Sequence, residues 1–234
     1  MSTKLKAIHT HRNDFWFARG SVAVIVGLQL LIVNKVTLGP PWLAPALELA
    51  LLGPLSIATA WTQGQARDAT TDRHWQNIGR QRKIIRFAAV AMTAIITLMN
   101  FFALVRLIQA LLAGHSGASG QTLLLDAVNI WATNVIIFAL WFWSIDRGGP
   151  ASRGISRREI DDFLFPQMTL ASSRTGWSPG FIDYLYLSFT NATAFSPTDT
   201  MPLSPRAKIM MMAESAVSLL TLALVAARAV NILA

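Results

Sequence analysis

The sequence predicts an all-α membrane protein of about five transmembrane helices, with a short re-entrant helix and loop ahead of the last span. Three observations carry that prediction. Only 14% of the 234 residues are charged and 53% are hydrophobic, whereas globular domains carry about 25% charged residues. Several apolar runs reach the ~20 residues a helix needs to cross a bilayer core. Near the C-terminus, a short apolar run, a Ser/Thr/Pro-rich descent and a full-length apolar run follow one another.

The net charge of +8 does not point to nucleic acid. The basic residues cluster in the loops between apolar runs, as membrane topology requires, so membrane lipids are the expected partner. The chain has no cysteine, which excludes disulfides, thiolate metal sites and cysteine nucleophiles. The four histidines are dispersed in loops with no nucleophile–base or metal spacing. His9 and His11 have no further ligands beside them. No enzyme, metal or cofactor is expected.

Residues 1–20 form a basic interfacial segment, with Lys4, Lys6, Arg12 and Arg19 beside Phe15, Trp16 and Phe17. Cationic and aromatic side chains together suit the membrane–water boundary. No small-residue cleavage site follows, so the first apolar run reads as a retained helix. It covers roughly 21–38 and stops at Gly39-Pro40-Pro41, where proline removes a donor and restricts its predecessor. A second helix covers roughly 43–62, kinked at Gly53-Pro54. Glu48 falls inside it. An intramembrane carboxylate is a functional candidate by default, and this one is also near enough to the helix end to reach the interface.

Residues 63–83 read as a polar, cytoplasmic connector carrying Arg67, Arg73, Arg80, Arg82 and Lys83. The third helix, roughly 84–113, is longer than a ~30 Å core requires and should tilt or project. Arg106 in its last third either snorkels or pairs with Glu48 or Asp126. Residues 114–121 are a flexible linker without Lys or Arg, closing a three-helix N-terminal region over 21–113. The fourth helix covers roughly 122–145, with Asn129, Thr133 and Asn134 placed to bond between helices. Asp146-Arg147-Gly148-Gly149-Pro150 ends it. The polar loop 146–180 carries Arg157, Arg158, Glu159, Asp161 and Asp162, read as a solvated charged turn with ordinary local ion pairs.

The stretch from Tyr184 to Asp199, YLYLSFTNATAFSPTD, then gives way to Pro202, Ser204-Pro205 and a final helix over 206–234. This order resembles the pore module of potassium channels, in which an aromatic-rich pore helix leads through a threonine and a Gly-Tyr-Gly-Asp filter to the inner helix. The resemblance covers residues 122–234: outer helix, polar loop, pore loop 181–205 and inner helix. It makes Thr193, Ala194, Phe195, Ser196, Pro197, Thr198 and Asp199 the filter-like loop. Thr193 stands for the filter threonine and Asp199 for the closing aspartate. Ser196 and Thr198 replace the glycines, and Pro197 replaces the tyrosine. Glycine permits the alternating backbone handedness that aims successive carbonyls at one axis. A residue with a Cβ costs about 1–2 kcal/mol at each such position. The carbonyl ladder is therefore not expected, leaving a rim of hydroxyls with Asp199 as a charge ring. Ser188 and Asn191 are expected to bond to neighbouring backbone.

On the final helix, Glu214 either braces the pore loop from behind or pairs with Lys208. Ser218 lies near the position where many inner helices carry a hinge glycine. Ala213, Ser215, Ala216, Ser218, Ala223, Ala226 and Ala227 allow close helix approach. The resemblance implies an ion channel or channel-like protein of the bacterial inner membrane, a homotetramer, passing monovalent cations with weak potassium preference. The alternatives are a non-conducting scaffold or signalling protein and, third, a secondary transporter, although no repeated halves are visible. Orientation stays open: positive-inside counting puts the N-terminus, 63–83 and 146–180 in the cytoplasm, while a potassium-channel arrangement puts 146–180 outside.

Overall fold

The computed structural model describes residues 12–31, 46, 72–112, 120–149, 161–170, 177–193 and 199–233. The protein is predominantly helical: α1 (Arg12–Leu31), α2 (Asp72–Leu112), α3 (Gly120–Ile145), α4 (Phe181–Thr193) and α5 (Pro205–Leu233). Two short 3-10 turns, Asp146–Gly148 and Pro166–Thr169, and a pair of two-residue strands complete the described elements. Strand β1 (Phe163–Leu164) pairs antiparallel with β2 (Met201–Pro202). Three helices are long and apolar enough to cross a membrane, over Ile84–Leu111, Thr122–Ile145 and Pro205–Ala227. The apolar part of α1, Trp16–Gln29, is shorter. The expected second span at 43–62 lies outside the described residues, apart from Ala46.

Two boundaries differ from expectation. Helix α1 begins at Arg12, so the end of the basic lead-in is itself helical, and Arg19 holds its guanidinium 5.5 Å from the Trp16 ring centre. Helix α2 is continuous from Asp72 for 41 residues, so the second half of the expected connector is helix. Arg, Gln and Lys are good helix formers, and no proline interrupts them. At 1.5 Å per residue α2 is about 60 Å long, roughly twice a bilayer core. Arg106 is exposed on it and forms no ion pair with a described residue.

Helix α3 is the centre of the bundle. Its span is 72% buried, against 28% for α2 and 17% for α5, and it packs on every other described helix. Near its C-terminal end, Ile137, Phe138, Phe142 and Trp143 meet Ala18 and Val22 of α1, Met92 and Ile96 of α2, and Phe181, Tyr184 and Leu187 of α4. Near its N-terminal end, Leu123, Ala127 and Ile130 meet Leu104 and Leu107 of α2, with Val217 and Leu224 of α5 alongside. Polar bonds between helices fix the register. Trp141 Nε1 donates to Thr97 Oγ1 at 2.9 Å, Asn100 Nδ2 to the Ile130 carbonyl at 3.3 Å, and Asn134 Nδ2 to Ser218 Oγ at 2.9 Å.

The end of α3 requires glycine. After the turn at Asp146–Gly148, Gly149 takes φ +82° and its N–H closes on the Asp146 carbonyl at 2.8 Å. A Cβ there would stand 2.6 Å from the Ser144 carbonyl oxygen.

Candidate functional site

Helix α4 has 13 residues, and Phe181, Tyr184, Leu187, Ser188 and Ala192 form its buried face. Its start is capped locally. Gly180 N–H donates to Asp183 Oδ2 at 2.7 Å, and the acidic side chain also suits the positive end of the helix. The helix runs antiparallel to α3. Phe181 stacks edge-on with Trp143 at 5.5 Å, Ser188 bonds the Val135 carbonyl at 2.7 Å, and Phe189 meets Trp131 at 5.9 Å. Trp131 lies about 14 residues, or roughly 21 Å, before the end of α3, so the C-terminal part of α4 lies beside the middle of that helix.

Two polar clusters hold α4. The first gathers four segments at the C-terminal end of α3. Tyr184 donates its hydroxyl to Asp146 Oδ2 at 2.5 Å, and the other oxygen of Asp146 accepts the Asp162 N–H at 2.8 Å. Asp162 is fully buried and is gripped by Arg206, Nε to Oδ1 at 2.6 Å and a terminal nitrogen to Oδ2 at 2.5 Å. Ser204 Oγ donates to the same Oδ1 and accepts the Ala207 N–H at 3.2 Å, so it caps α5, with Pro205 following as the first helical residue. The Leu203 N–H reaches the Asp162 carbonyl at 2.8 Å beside the β1–β2 pair. Arg147 Nε lies 2.8 Å from Asp161 Oδ1, as an ion pair and not an aligned hydrogen bond. Phe163 and Phe165 both pack their rings edge-on with Tyr184, at 6.3 and 5.3 Å between ring centres.

This cluster corrects the reading of Asp161-Asp162 as a solvated turn. Asp161 is half-buried, whereas Asp162 is fully buried, and its partner comes from α5. The signal in the sequence was an acid beside the apolar run Phe163-Leu164-Phe165.

The second cluster lies deeper. Glu214 is fully buried on α5. Its Oε1 is in a short hydrogen bond with Ser188 Oγ, and its Oε2 accepts from Asn191 Nδ2 at 2.7 Å. Asn191 Nδ2 also reaches the Met211 carbonyl at 3.0 Å, while Ser215 Oγ lies 3.2 Å from Asn191 Oδ1. Glu214 was expected to brace the pore loop from behind or to pair with Lys208; its bonds in the structure go to Ser188 and Asn191 of α4. Lys208 is exposed and makes no ion pair with a described residue. Ser218, one turn on, is buried against Asn134 of α3. Ser188 and Asn191 each bond backbone, but of a neighbouring helix, and both also bond Glu214.

No family model, curated protein or solved structure matches this chain.

Of the filter-like residues, Thr193 is the last residue of α4 and donates to the Thr190 carbonyl at 3.0 Å. Ala194, Phe195, Ser196, Pro197 and Thr198 lie outside the described residues. Asp199 is exposed, two residues before β2. Among the described residues no group of three His, Asp or Glu side chains could hold a metal. The two clusters position and brace α4. Their members Asp146, Asp162, Tyr184 and Arg206 were not among the expected site residues, because their partners are distant in sequence.

Proposed function

We propose that residues 120–233 form a channel-like pore module, with α3 as outer helix, α4 as a re-entrant pore helix, α5 as inner helix and 193–199 as the pore-lining loop. The observation that carries this reading is the path of the chain through α4. Thirteen residues span only about 20 Å, short of a ~30 Å core. The helix starts beside Trp143 and Asp146, reaches the middle of α3, and the chain is back at β1 by Met201. The segment thus enters and leaves at one end of α3, wedged between two spanning helices.

Four copies surround the path in this reading, because one such loop encloses nothing. Helix α5 supports it with an exposed stripe of Ala213, Ala216, Leu220, Ala223 and Ala227, at the spacing of one helix face. Small residues permit close approach of a second helix. Asp199, exposed beside the mouth, gives four carboxylates that attract cations and repel anions. Bulky apolar side chains elsewhere, such as Phe87, Leu98 and Ile209, face lipid, in a bacterial cytoplasmic membrane.

Ion flux from liposomes tests the proposal. Potassium and sodium should leave at similar rates, anions should be retained, and Asp199→Asn should slow both cations. Absence of any cation flux across a range of voltage, pH and lipid would reject conduction and favour a membrane scaffold with the same architecture.

A further inference from the structure

The hydrogens around Glu214 can be counted. A serine hydroxyl has one hydrogen, and a backbone carbonyl or an ionised carboxylate can only accept. Ser188 Oγ is 2.7 Å from the Val135 carbonyl and in a short hydrogen bond with Glu214 Oε1. With an ionised Glu214, one hydrogen would have to serve both acceptors. With a proton on Glu214 the count closes: Oε1–H donates to Ser188 Oγ, and Ser188 O–H donates to Val135. The other side closes as well. Asn191 Nδ2 spends its two hydrogens on the Met211 carbonyl and Glu214 Oε2, and Asn191 Oδ1 is within reach of the Ser215 hydroxyl.

Among the described residues no cation is paired with Glu214. On α5, Arg206 is committed to Asp162, Lys208 is exposed, and the Arg228 end of the helix is about three to four turns away. On α3 and the turn that ends it the ionisable groups are Asp126 and Asp146, roughly 13–17 Å along the helix direction from Val135. On α4, Tyr184 is bonded to Asp146, Tyr186 is exposed, and Asp183 caps the first turn. On α2 and α1, Arg106 is exposed and Arg19 lies over Trp16. An isolated carboxylate in a medium this apolar is costly unless it is neutralised or paired.

We propose that Glu214, Ser188 and the Val135 carbonyl form a proton-binding site within the membrane, and that the bound proton completes the chain of bonds tying α5 to α4 and α4 to α3. Removing it would set two acceptors against one serine hydrogen, and Ser188 would lose one of its two bonds, while Asn191 still reaches Glu214 and the Met211 carbonyl. Since Ser188 is bonded to both neighbours of α4, occupancy of the site controls how firmly α4 is held between α3 and α5. The inference rests on hydrogen-bond geometry and does not require conduction.

Infrared spectroscopy of the purified full-length protein in lipid tests it without any flux measurement. Wild type minus Glu214→Gln should show a protonated-carboxyl C=O band at neutral pH that disappears on alkaline titration. Ser188→Ala, which removes the acceptor, should move that band to higher frequency. Glu214→Gln preserves the pattern, because its amide donates where the acid did, so it should melt near wild type and well above Glu214→Ala. Absence of the acid band in wild type, or a carboxylate band in its place, would overturn the proposal. So would a Glu214→Gln melting point as low as that of Glu214→Ala.

Discussion

Arg206 holds Asp162 through both carboxylate oxygens, at 2.6 and 2.5 Å, with the carboxylate fully buried and the arginine side chain 54% exposed. The pair joins the first turn of α5 to the segment ahead of α4. It therefore sets where α5 begins relative to β1. A bidentate fork gives direction as well as charge.

Removing Arg206 strands a buried carboxylate, a change that typically costs about 3–5 kcal/mol. The exposure of the arginine puts Arg206→Ala at the lower end, about 3 kcal/mol. Arg206→Lys should recover only part of that, because lysine cannot make the fork. Denaturant melts in mixed micelles measure both. Full recovery by lysine would show that only charge matters here.

Tyr184→Phe keeps the ring packed on Phe163 and Phe165 but removes the bond to Asp146. A hydrogen bond to a charged group is worth about 1.5–3 kcal/mol, and the variant should lose stability in that range. Tyr186→Phe, at an exposed position on the same helix, should stay within about 0.5 kcal/mol of wild type. The same melts compare the two.

Helix ends were the most legible feature of the sequence. Helices α3 and α5 start and stop within a residue or two of expectation, because strong local signals mark them: Gly148-Gly149 after α3 and Ser204-Pro205 at α5. The start of α2 was hidden, since residues 72–83 look like a loop by hydropathy while their helix propensity is good. Asp162 was hidden for another reason. Its partner Arg206 is 44 positions away, and nearer charges at Arg157 and Arg158 offered a sufficient local explanation. Glu214 drew notice in the sequence through its place on the last helix of the channel resemblance. Its bonding to Ser188 and Asn191 depends on the packing of two helices, which no local pattern encodes.

Asn134 and Ser218 bond across α3 and α5 at 2.9 Å in a buried setting. Interhelical hydrogen bonds in membranes average about 0.6 kcal/mol in double-mutant cycles. A cycle with Asn134→Ala and Ser218→Ala should return a coupling of that order. A coupling near zero would mean that packing alone sets this contact.

Leucine at Ala216 or Ala223 should weaken the proposed tetramer while leaving the single chain folded, because both positions are exposed on α5. Leucine at Ser218, which is fully buried, should instead disrupt the fold by overpacking. Crosslinking ladders and native mass spectra separate the outcomes. Tetramers that survive leucine at both alanines would move the interface away from this stripe.

The path of the chain through α4 is tested most directly by single-cysteine labelling. The chain has no native cysteine, so each substitution reports alone. Gln167 and Asp199 are exposed on either side of α4 in sequence. Ser116 lies in the linker joining α2 to the opposite end of α3. In intact vesicles a membrane-impermeant maleimide should reach Gln167→Cys and Asp199→Cys from one side, and Ser116→Cys only from the other. Labelling of Gln167→Cys and Asp199→Cys from opposite sides would mean that the chain crosses the membrane between them, which would contradict the re-entrant path.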